Sequence, residues 1–253
     1  MRDIGALYLL PVPLTMTPDA ATLHAALPAP ALAKARELRH FVTEQAKTAR
    51  AVLKHLHMPI PLRELSLAEL NEHTPENALQ GLLHPLLQGH DLGLMSEAGC
   101  PAIADPGAQL VALAQRGGIR VIPLVGPSSL LLALMASGLN GQRFAFHGYL
   151  PAKTEERGHA IRELERESSA RRQTQIFIET PYRNLALFAD LLRHARPDTL
   201  LCLATDLTLP GESIRTRSIR DWQNLPIPGC DRRPTVFVIL ADGASIRGAE
   251  RSR

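Results

Sequence analysis

The chain has 253 residues, of which 45% are hydrophobic and 21% are charged, and its formal net charge is +3. This length and composition predict an ordinary globular protein with room for one large domain or two modest ones. No run approaches the about 20 apolar residues of a membrane-spanning helix, and the first residues lack the pattern of a signal peptide. We therefore expect a cytoplasmic protein with no membrane partner.

The spacing of the cysteines and the distribution of charge further limit the class of protein and the kind of substrate that the sequence can indicate. The three cysteines are far apart and form no CxxC pair, so the sequence indicates neither a disulfide framework nor a cysteine zinc site. The basic excess lies in the second half and is mostly arginine, in short clusters at Arg171, Arg172, Arg215, Arg217, Arg220, Arg232 and Arg233. Arginine suits bidentate contact with phosphate, so a nucleic-acid substrate fits, and a solvated arginine-rich surface fits equally well.

Strands and helices are predicted to alternate along the first half of the chain, because continuous apolar runs alternate with stretches that keep one apolar face. In chain order they are a strand over 6–12, a helix over 32–56, a helix over 75–88, a strand over 91–96, a helix capped by Asp105 and a strand over 119–125.

The second half repeats this alternation. The predicted elements are a helix over 129–136, a charged helix over 155–166, a strand over 175–179, a helix over 183–194, a strand over 199–205 and a strand over 235–240. Alternating elements of this kind predict α/β layers throughout. We expect one α/β domain over 1–124, a second over 125–242 and a disordered tail over 243–253.

Three loops rich in Pro, Gly and Ser each follow a predicted strand, at residues 11–15, 96–106 and 126–129. One such loop alone can serve only to turn the chain or cap a helix. Because ligands bind at the carboxyl ends of strands in open α/β sheets, the three together predict a ligand site. The chain lacks GxGxxG, Walker, GxSxG and HExxH motifs, and no metal site is predicted.

Several segments together resemble a known family. They are GLMSEAGCPAIADPG over 93–107, IRVIPLVGPS over 119–128 and GYLPAK over 148–153, with LNEHT, ETPYR, ATDLT and PTVFV beginning at residues 70, 179, 204 and 234. In order and spacing they resemble the tetrapyrrole methylase superfamily, and within it the branch that methylates a cytidine 2'-hydroxyl of small-subunit ribosomal RNA. The resemblance implies a class III methyltransferase with two α/β domains, a cleft for S-adenosylmethionine between them, a homodimer and ribosomal RNA as partner.

The resemblance also implies which residues meet each ligand. The cofactor contacts, mostly backbone or apolar, would be Pro13, Cys100, Ile103, Ser128, Ser129, Leu150, Ala204, Leu207, Pro234 and Thr235. A base that helps to deprotonate a ribose hydroxyl would accelerate the reaction, and Glu97 and Glu44 are the candidates, although neither is assigned as catalytic. Lys153 and Arg183 are candidates for contact with RNA phosphates.

The chain departs from the ribosomal RNA branch in three places. LTMT follows Pro13 in place of glycine-asparagine-leucine, EQAK over 44–47 replaces an acidic-aspartate-threonine-arginine run, and Glu97 stands where aspartate is usual. Two alternatives therefore stay open: C-methylation of a tetrapyrrole in corrinoid or siroheme synthesis, and a non-catalytic ribosome-assembly factor that binds S-adenosylmethionine. The methylated atom, and the choice between naked RNA and an assembled subunit, also stay open.

Overall fold

A computed structural model describes residues 4–15, 17–71 and 73–241, and the predicted tail over 243–253 lies outside them. The chain divides into two compact units, Met1–Ser128 and Ser129–Arg253. Each unit contains its own five-stranded sheet. Within the described ranges, no helix combines the length and the apolar character that crossing a bilayer requires.

The first unit has a parallel sheet. Its elements are β1 (Leu7–Leu10), α1 (Ala20–Ala26), α2 (Ala29–Glu37), β2 (His40–Thr43), α3 (Ala46–His55), β3 (Ser66–Glu69), α4 (Glu76–Leu82), α5 (His84–Leu87), β4 (Leu92–Met95), α6 (Gly107–Arg116) and β5 (Val121–Pro123). The strand order is β3-β2-β4-β1-β5, with every pair parallel. All five carboxyl ends therefore lie at one edge, which is where ligands bind in such sheets.

Residues 32–56 do not form the single helix that their apolar spacing predicts. Helix α2 ends at Glu37, β2 follows, and α3 begins only at Ala46. Phe41 and Val42 are fully buried in β2, which pairs with β3 on one side and β4 on the other. Hydrogen bonding on both sides, with aromatic and β-branched residues that favour strands, outweighs the helical spacing.

The helix predicted over 75–88 is divided into α4 and α5, with Leu83 between them. Pro85 has no backbone N–H, and its ring clashes with the carbonyl four residues earlier in a continuous helix. It is instead accommodated in the first turn of α5, where the missing donor costs little.

The second unit has a mixed sheet. Its elements are α7 (Ser129–Ser137), β6 (Phe144–Tyr149), α8 (Thr154–Arg171), β7 (Thr174–Ile178), α9 (Asn184–His194), β8 (Leu200–Thr205), β9 (Ser213–Ser218), α10 (Ile219–Gln223) and β10 (Thr235–Leu240). The strand order is β6-β7-β10-β8-β9, and β6 is parallel to β7 while the other pairs are antiparallel. A short 3-10 turn over Pro181–Arg183 joins β7 to α9.

Aromatic side chains organise the core of the second unit. Phe177 of β7 and Phe237 of β10 are fully buried and stacked, with ring centres 5.9 Å apart. Trp222 of α10 packs edge-on against Phe188 of α9 and donates a hydrogen bond to the carbonyl of Leu201 at 2.9 Å. Together these contacts attach α9 and α10 to the face of the sheet that carries Phe177 and Phe237.

Candidate functional site

The three loops singled out in the first unit meet at the carboxyl edge of its sheet. Val12, after β1, and Gly99, after β4, exchange two backbone hydrogen bonds of 2.9 and 3.1 Å. The Cys100 thiol donates to the carbonyl of Pro127, after β5, at 3.3 Å. Gly126 packs so closely on Pro11 that a Cβ atom at Gly126 would lie 2.3 Å from that of Pro11. The carboxyl-edge loops therefore form one continuous structure, with Pro13, Cys100 and Ser128 on it.

The turn after Gly99 has an unusual backbone. Ala102 and Ala104 have φ values of +66° and +60°, in the left-handed region that costs a residue other than glycine about 1–2 kcal/mol. Such conformations persist where surrounding contacts enforce them, and they cluster at ligand sites. Ile103, between the two alanines, is 50% exposed and is therefore available for contact with a ligand.

The Asp105 carboxylate holds this turn in place. It accepts hydrogen bonds from the backbone N–H groups of Ala102, at 2.9 Å, and of Gly107, at 2.7 Å. Burial raises the pKa of Asp105, while these two backbone bonds act in the opposite direction. Helix α6 begins at Gly107, and its N-cap residue is Pro106. Asp105, which was predicted to be the N-cap, therefore lies one residue before it.

The two candidate bases lie at this edge as well. Glu44 follows β2 directly and Glu97 lies two residues after β4, and the register pairs Thr43 with Met95 at the ends of these strands. The Thr48 hydroxyl, in the first turn of α3, lies 2.8 Å from Oε1 of Gln45 and 3.4 Å from Oε1 of Glu97, so its single proton is shared between these two acceptors and favours Gln45. Sequence reasoning missed Thr48, which helical spacing placed inside the long helix predicted over 32–56.

In the second unit, five of the implied cofactor residues lie at one edge of the sheet. There β6, β7 and β8 end and β10 begins, as the pairing of Ile178 with Tyr149 and Val236 and of Thr205 with Thr235 shows. The residues brought to this edge are Leu150, Ala204, Leu207, Pro234 and Thr235. The remaining candidate, Ser129, is the first residue of α7.

Burial and hydrogen bonding separate the roles that these residues can play. Leu150 and Leu207 are buried. The Thr235 hydroxyl lies 3.0 Å from that of Thr205 and donates to the carbonyl of Arg233, so its bonding capacity is largely used inside the protein. Because side chains alternate along a strand, Ala204 points to the opposite face of the sheet from Thr205 and Thr235.

Arg183, a candidate phosphate contact, is held by Glu179. One carboxylate oxygen of Glu179, Oε1, accepts from Nε and Nη2 of Arg183 at 2.9 and 2.6 Å, and from the backbone N–H of Thr180 at 2.6 Å. The Glu179 side chain is fully buried, and its second oxygen has no hydrogen-bond partner among the described residues. This pairing raises the pKa of Arg183. Lys153, by contrast, is exposed and pairs with Glu156 at 3.0 Å.

The arginine clusters of the second half divide into structural and exposed members. Arg233 pairs with Asp206 at 2.7 Å and donates to the carbonyls of Gly211 and Gly229, so it stabilises the loops around it. Arg215, on β9, is exposed and lines a cavity of about 250 Å³ in the second unit. Arg217, Arg220 and Arg232 are exposed too. Within the parts of the chain that are described, no group of three or more His, Cys, Asp or Glu residues could hold a metal ion.

Comparison with known proteins identifies the family to which the chain belongs. The family model of the Tetrapyrrole (Corrin/Porphyrin) Methylases matches residues 17–222. The chain is similar to the ribosomal RNA small subunit methyltransferase I of Xylella fastidiosa, with 32% identity over 216 residues that cover 85% of this chain and 76% of the relative. The protein of the same name from Escherichia coli O157:H7 is 30% identical over 239 residues, covering 94% and 78%.

The same class appears among solved structures. Uroporphyrin-III C-methyl transferase from Thermus thermophilus, complexed with S-adenyl homocysteine, matches with a TM-score of 0.54 at 16% identity, covering 96% of this chain and all of that one. The two α/β units thus have the two-domain class III methyltransferase fold, and the chain is a methyltransferase. It belongs to the tetrapyrrole methylase family, in the branch of the ribosomal RNA small subunit methyltransferase I proteins.

Proposed function

We propose that this chain methylates small-subunit ribosomal RNA, with S-adenosylmethionine as methyl donor and the 2'-hydroxyl of a cytidine as acceptor. The observation that carries this proposal is 30% identity, over 94% of this chain, to a ribosomal RNA small subunit methyltransferase. C-methylation of a tetrapyrrole is not favoured, because the relatives with this level of identity are ribosomal RNA methyltransferases.

The residues at the carboxyl edge of the first sheet fit such a cofactor. Adenosine and methionine groups need backbone, hydroxyl and apolar contacts more than basic side chains, and Pro13, Cys100, Ile103 and Ser128 are all neutral. The left-handed turn at Ala102 and Ala104 leaves Ile103 exposed to a ligand, and the absence of a side chain at Gly126 lets the loops after β1 and β5 pack together. When bound, the cofactor supplies a methyl group carried on a positively charged sulfur.

The residues of this chain would contribute orientation and proton transfer. Alignment of donor and acceptor in line supplies much of the rate in a displacement, so the loops that position them matter most. We infer that Glu97, which lies 3.4 Å from the Thr48 hydroxyl, accepts the proton of the ribose hydroxyl, with Glu44 as the alternative base. Arg183 and Lys153 contact phosphates of the RNA backbone.

The experiment that tests this function uses small ribosomal subunits that lack the modification. Purified chain is incubated with them and with S-adenosylmethionine labelled in its methyl group, and the RNA is then digested and its nucleosides are separated. We expect label in 2'-O-methylcytidine, with loss of label in a Ser128→Trp variant. Ser169→Trp, at an exposed position of α8, is the matched control and should retain activity.

Two outcomes would reject the proposal in different ways. Label in another nucleoside would retain the enzyme and change its acceptor. Cofactor binding with no label in any RNA would support the alternative of a non-catalytic assembly factor. Repeated methyl transfer by the chain would exclude that alternative.

We further infer a homodimer located in the cytoplasm. Leu131 and Met135, one turn apart on α7, are large apolar side chains exposed to solvent, and Met135 is 78% exposed. Apolar groups that remain exposed together mark interaction surfaces. Sedimentation equilibrium should give a dimer for the wild-type chain and a monomer for Leu131→Asp combined with Met135→Asp. An unchanged mass would exclude this surface as the interface.

A further inference from the structure

Two exposed tyrosines lie beside Arg183. Tyr182 is 70% exposed and Tyr149 is 55% exposed. The guanidinium carbon of Arg183 lies 5.6 Å from the centre of the Tyr182 ring, within the range of a cation–π contact. Aromatic rings this exposed leave most of their apolar surface in water, which is typical of a surface that binds a partner.

Hydrogen bonds hold the backbone of the segment that carries Tyr182. Tyr182 lies in the 3-10 turn Pro181–Arg183, in which the Arg183 N–H donates to the carbonyl of Thr180 at 2.9 Å. From another loop, the N–H of Arg232 donates to the carbonyl of Pro181 at 3.1 Å. Because Glu179 also holds the guanidinium of Arg183, the backbone of the turn and the cation are held in place before any partner arrives. A partner therefore loses little free energy to ordering them.

Tyr149 belongs to the same surface. It is the last residue of β6 and is paired in register with Ile178, the last residue of β7, so it lies next to the start of the segment that contains Glu179. Its phenol, like that of Tyr182, adds to the effect of the Glu179 bond in raising the pKa of Arg183. We call Tyr149, Tyr182 and Arg183 the tyrosine surface.

We propose that the tyrosine surface binds unpaired nucleobases of the RNA, with Tyr182 and Tyr149 stacking on bases and Arg183 contacting the adjoining phosphate. The proposal rests on the proposed function and names the form of RNA that is recognised. Proteins read single-stranded RNA by stacking its bases on aromatic rings and arginine planes, whereas base pairing hides those faces.

Charge favours RNA over a second copy of this chain as the partner. The tyrosine surface carries the cation of Arg183, and exposed Arg232 is bonded to its turn through the backbone. In a twofold interface the same patch meets itself, so these arginines would face their own copies. Glu179 already pairs with Arg183, but a polyanion can still bind the exposed Arg232 and the part of Arg183 that remains accessible.

The test measures the affinity for labelled RNA by fluorescence anisotropy. The probe is a cytidine-rich single strand of about 12 nucleotides, compared with the same strand paired to its complement. We expect Tyr182→Ala to bind the single strand about tenfold more weakly and Tyr182→Phe, which keeps the ring, to remain within about twofold of wild type. Neither variant should change binding of the duplex or of S-adenosylmethionine. Leu87→Ala, which removes an exposed apolar side chain in the first unit, is the control.

The outcomes separate this inference from the proposed function. If the wild-type chain methylates small-subunit RNA but Tyr182→Ala binds the single strand as wild type does, the tyrosine surface is rejected alone. If Tyr182→Ala instead converts a dimer to a monomer with unchanged RNA affinity, a second copy occupies the surface and the inference is again rejected. If the wild-type chain methylates no RNA, the proposed function fails whatever the binding result.

Discussion

Arg157 of α8 and Asp190 of α9 form a buried ion pair, in which Nε and Nη2 of the arginine lie 2.8 and 2.5 Å from one carboxylate oxygen. The third guanidinium nitrogen, Nη1, donates to the carbonyl of Ala152 at 3.0 Å. The backbone N–H of Arg157 donates to the carbonyl of Lys153 at 2.9 Å. The pair therefore joins two helices and also holds the loop that presents Lys153.

Replacing Asp190 by Ala should lower the free energy of unfolding by about 3–5 kcal/mol, because it leaves the buried Arg157 without a counter-charge. Urea unfolding followed by the fluorescence of Trp222, which is buried in the same unit, measures the change. Glu163→Ala removes the exposed partner of Arg166 and is the control, with an expected change below about 1 kcal/mol. Equal effects of the two variants would contradict the structural role of the pair.

Gly126→Ala should weaken cofactor binding. The added Cβ would lie 2.3 and 2.6 Å from Cβ and Cγ of Pro11, so the loops after β1 and β5 must move apart. Isothermal titration with S-adenosylhomocysteine measures the loss, which we expect to exceed tenfold, since 1.4 kcal/mol of strain suffices for about that factor. Gly81→Ala in α4 meets no atom within 4 Å and should stabilise the chain by about 0.5–1 kcal/mol without affecting binding.

Strands buried on both faces could be read from the sequence. The run TVFVIL forms β10, with Thr235–Leu240 as predicted, because a central strand buried on both faces is a nearly continuous apolar run. The edge strands β6 and β9 were missed, since FAFHGY and SIRTRS are half exposed and carry no continuous apolar run. The helical spacing of apolar residues over 32–56 likewise hid β2. This strand is stabilised by pairing with β3 and β4, which lie 23 or more residues later in the sequence.

The site also contains some residues that could be predicted from the sequence and others that could not. The loops after β1, β4 and β5 could be predicted from their glycine, proline and serine residues, because these residues favour turns through local backbone effects alone. The proximity of Thr48 to Glu97 joins residues 49 positions apart in sequence, and the role of Glu179 depends on the burial of its carboxylate beside Arg183, four residues later. The exposure of Tyr182 depends on the turn in which it lies, and no pattern of residues in one sequence specifies it.

Asp105 should make the chain less stable as the pH rises. Its folded-state pKa is raised above the ordinary value of 3.8 by burial, so the folded protein binds its proton more tightly than the unfolded chain does. The stability that this group contributes is therefore complete below pH 3.8 and is lost as the pH rises through the folded pKa. Asp105→Asn keeps an oxygen that accepts from Gly107 and removes this titration.

The measurement is the urea midpoint between about pH 4 and pH 6, for wild type and for Asp105→Asn. We expect the difference in stability between the two proteins to shift in favour of the variant as the pH rises. A difference that is constant over this range would show that Asp105 has the same pKa in both states.

Glu97→Gln should slow methyl transfer about 10²-fold if Glu97 accepts the proton of the ribose hydroxyl. Affinity for S-adenosylhomocysteine should not change, because the substitution keeps the shape of the side chain and its contact with Thr48. Single-turnover transfer to small subunits measures the rate. Glu44→Gln is the comparison, and a larger effect there than at Glu97 would assign the proton to Glu44.

Cys100 offers a direct measure of where the cofactor binds. Cys202 and Cys230 are buried, whereas Cys100 is partly exposed in the loop after β4. Burial raises the pKa of all three thiols, so alkylation near neutral pH should be slow and should begin at Cys100. If the cofactor contacts this loop, S-adenosylhomocysteine should slow alkylation at Cys100, as measured by mass spectrometry of the peptides. Cys100→Ala should abolish the protected fraction, and alkylation at an unchanged rate would place the cofactor elsewhere.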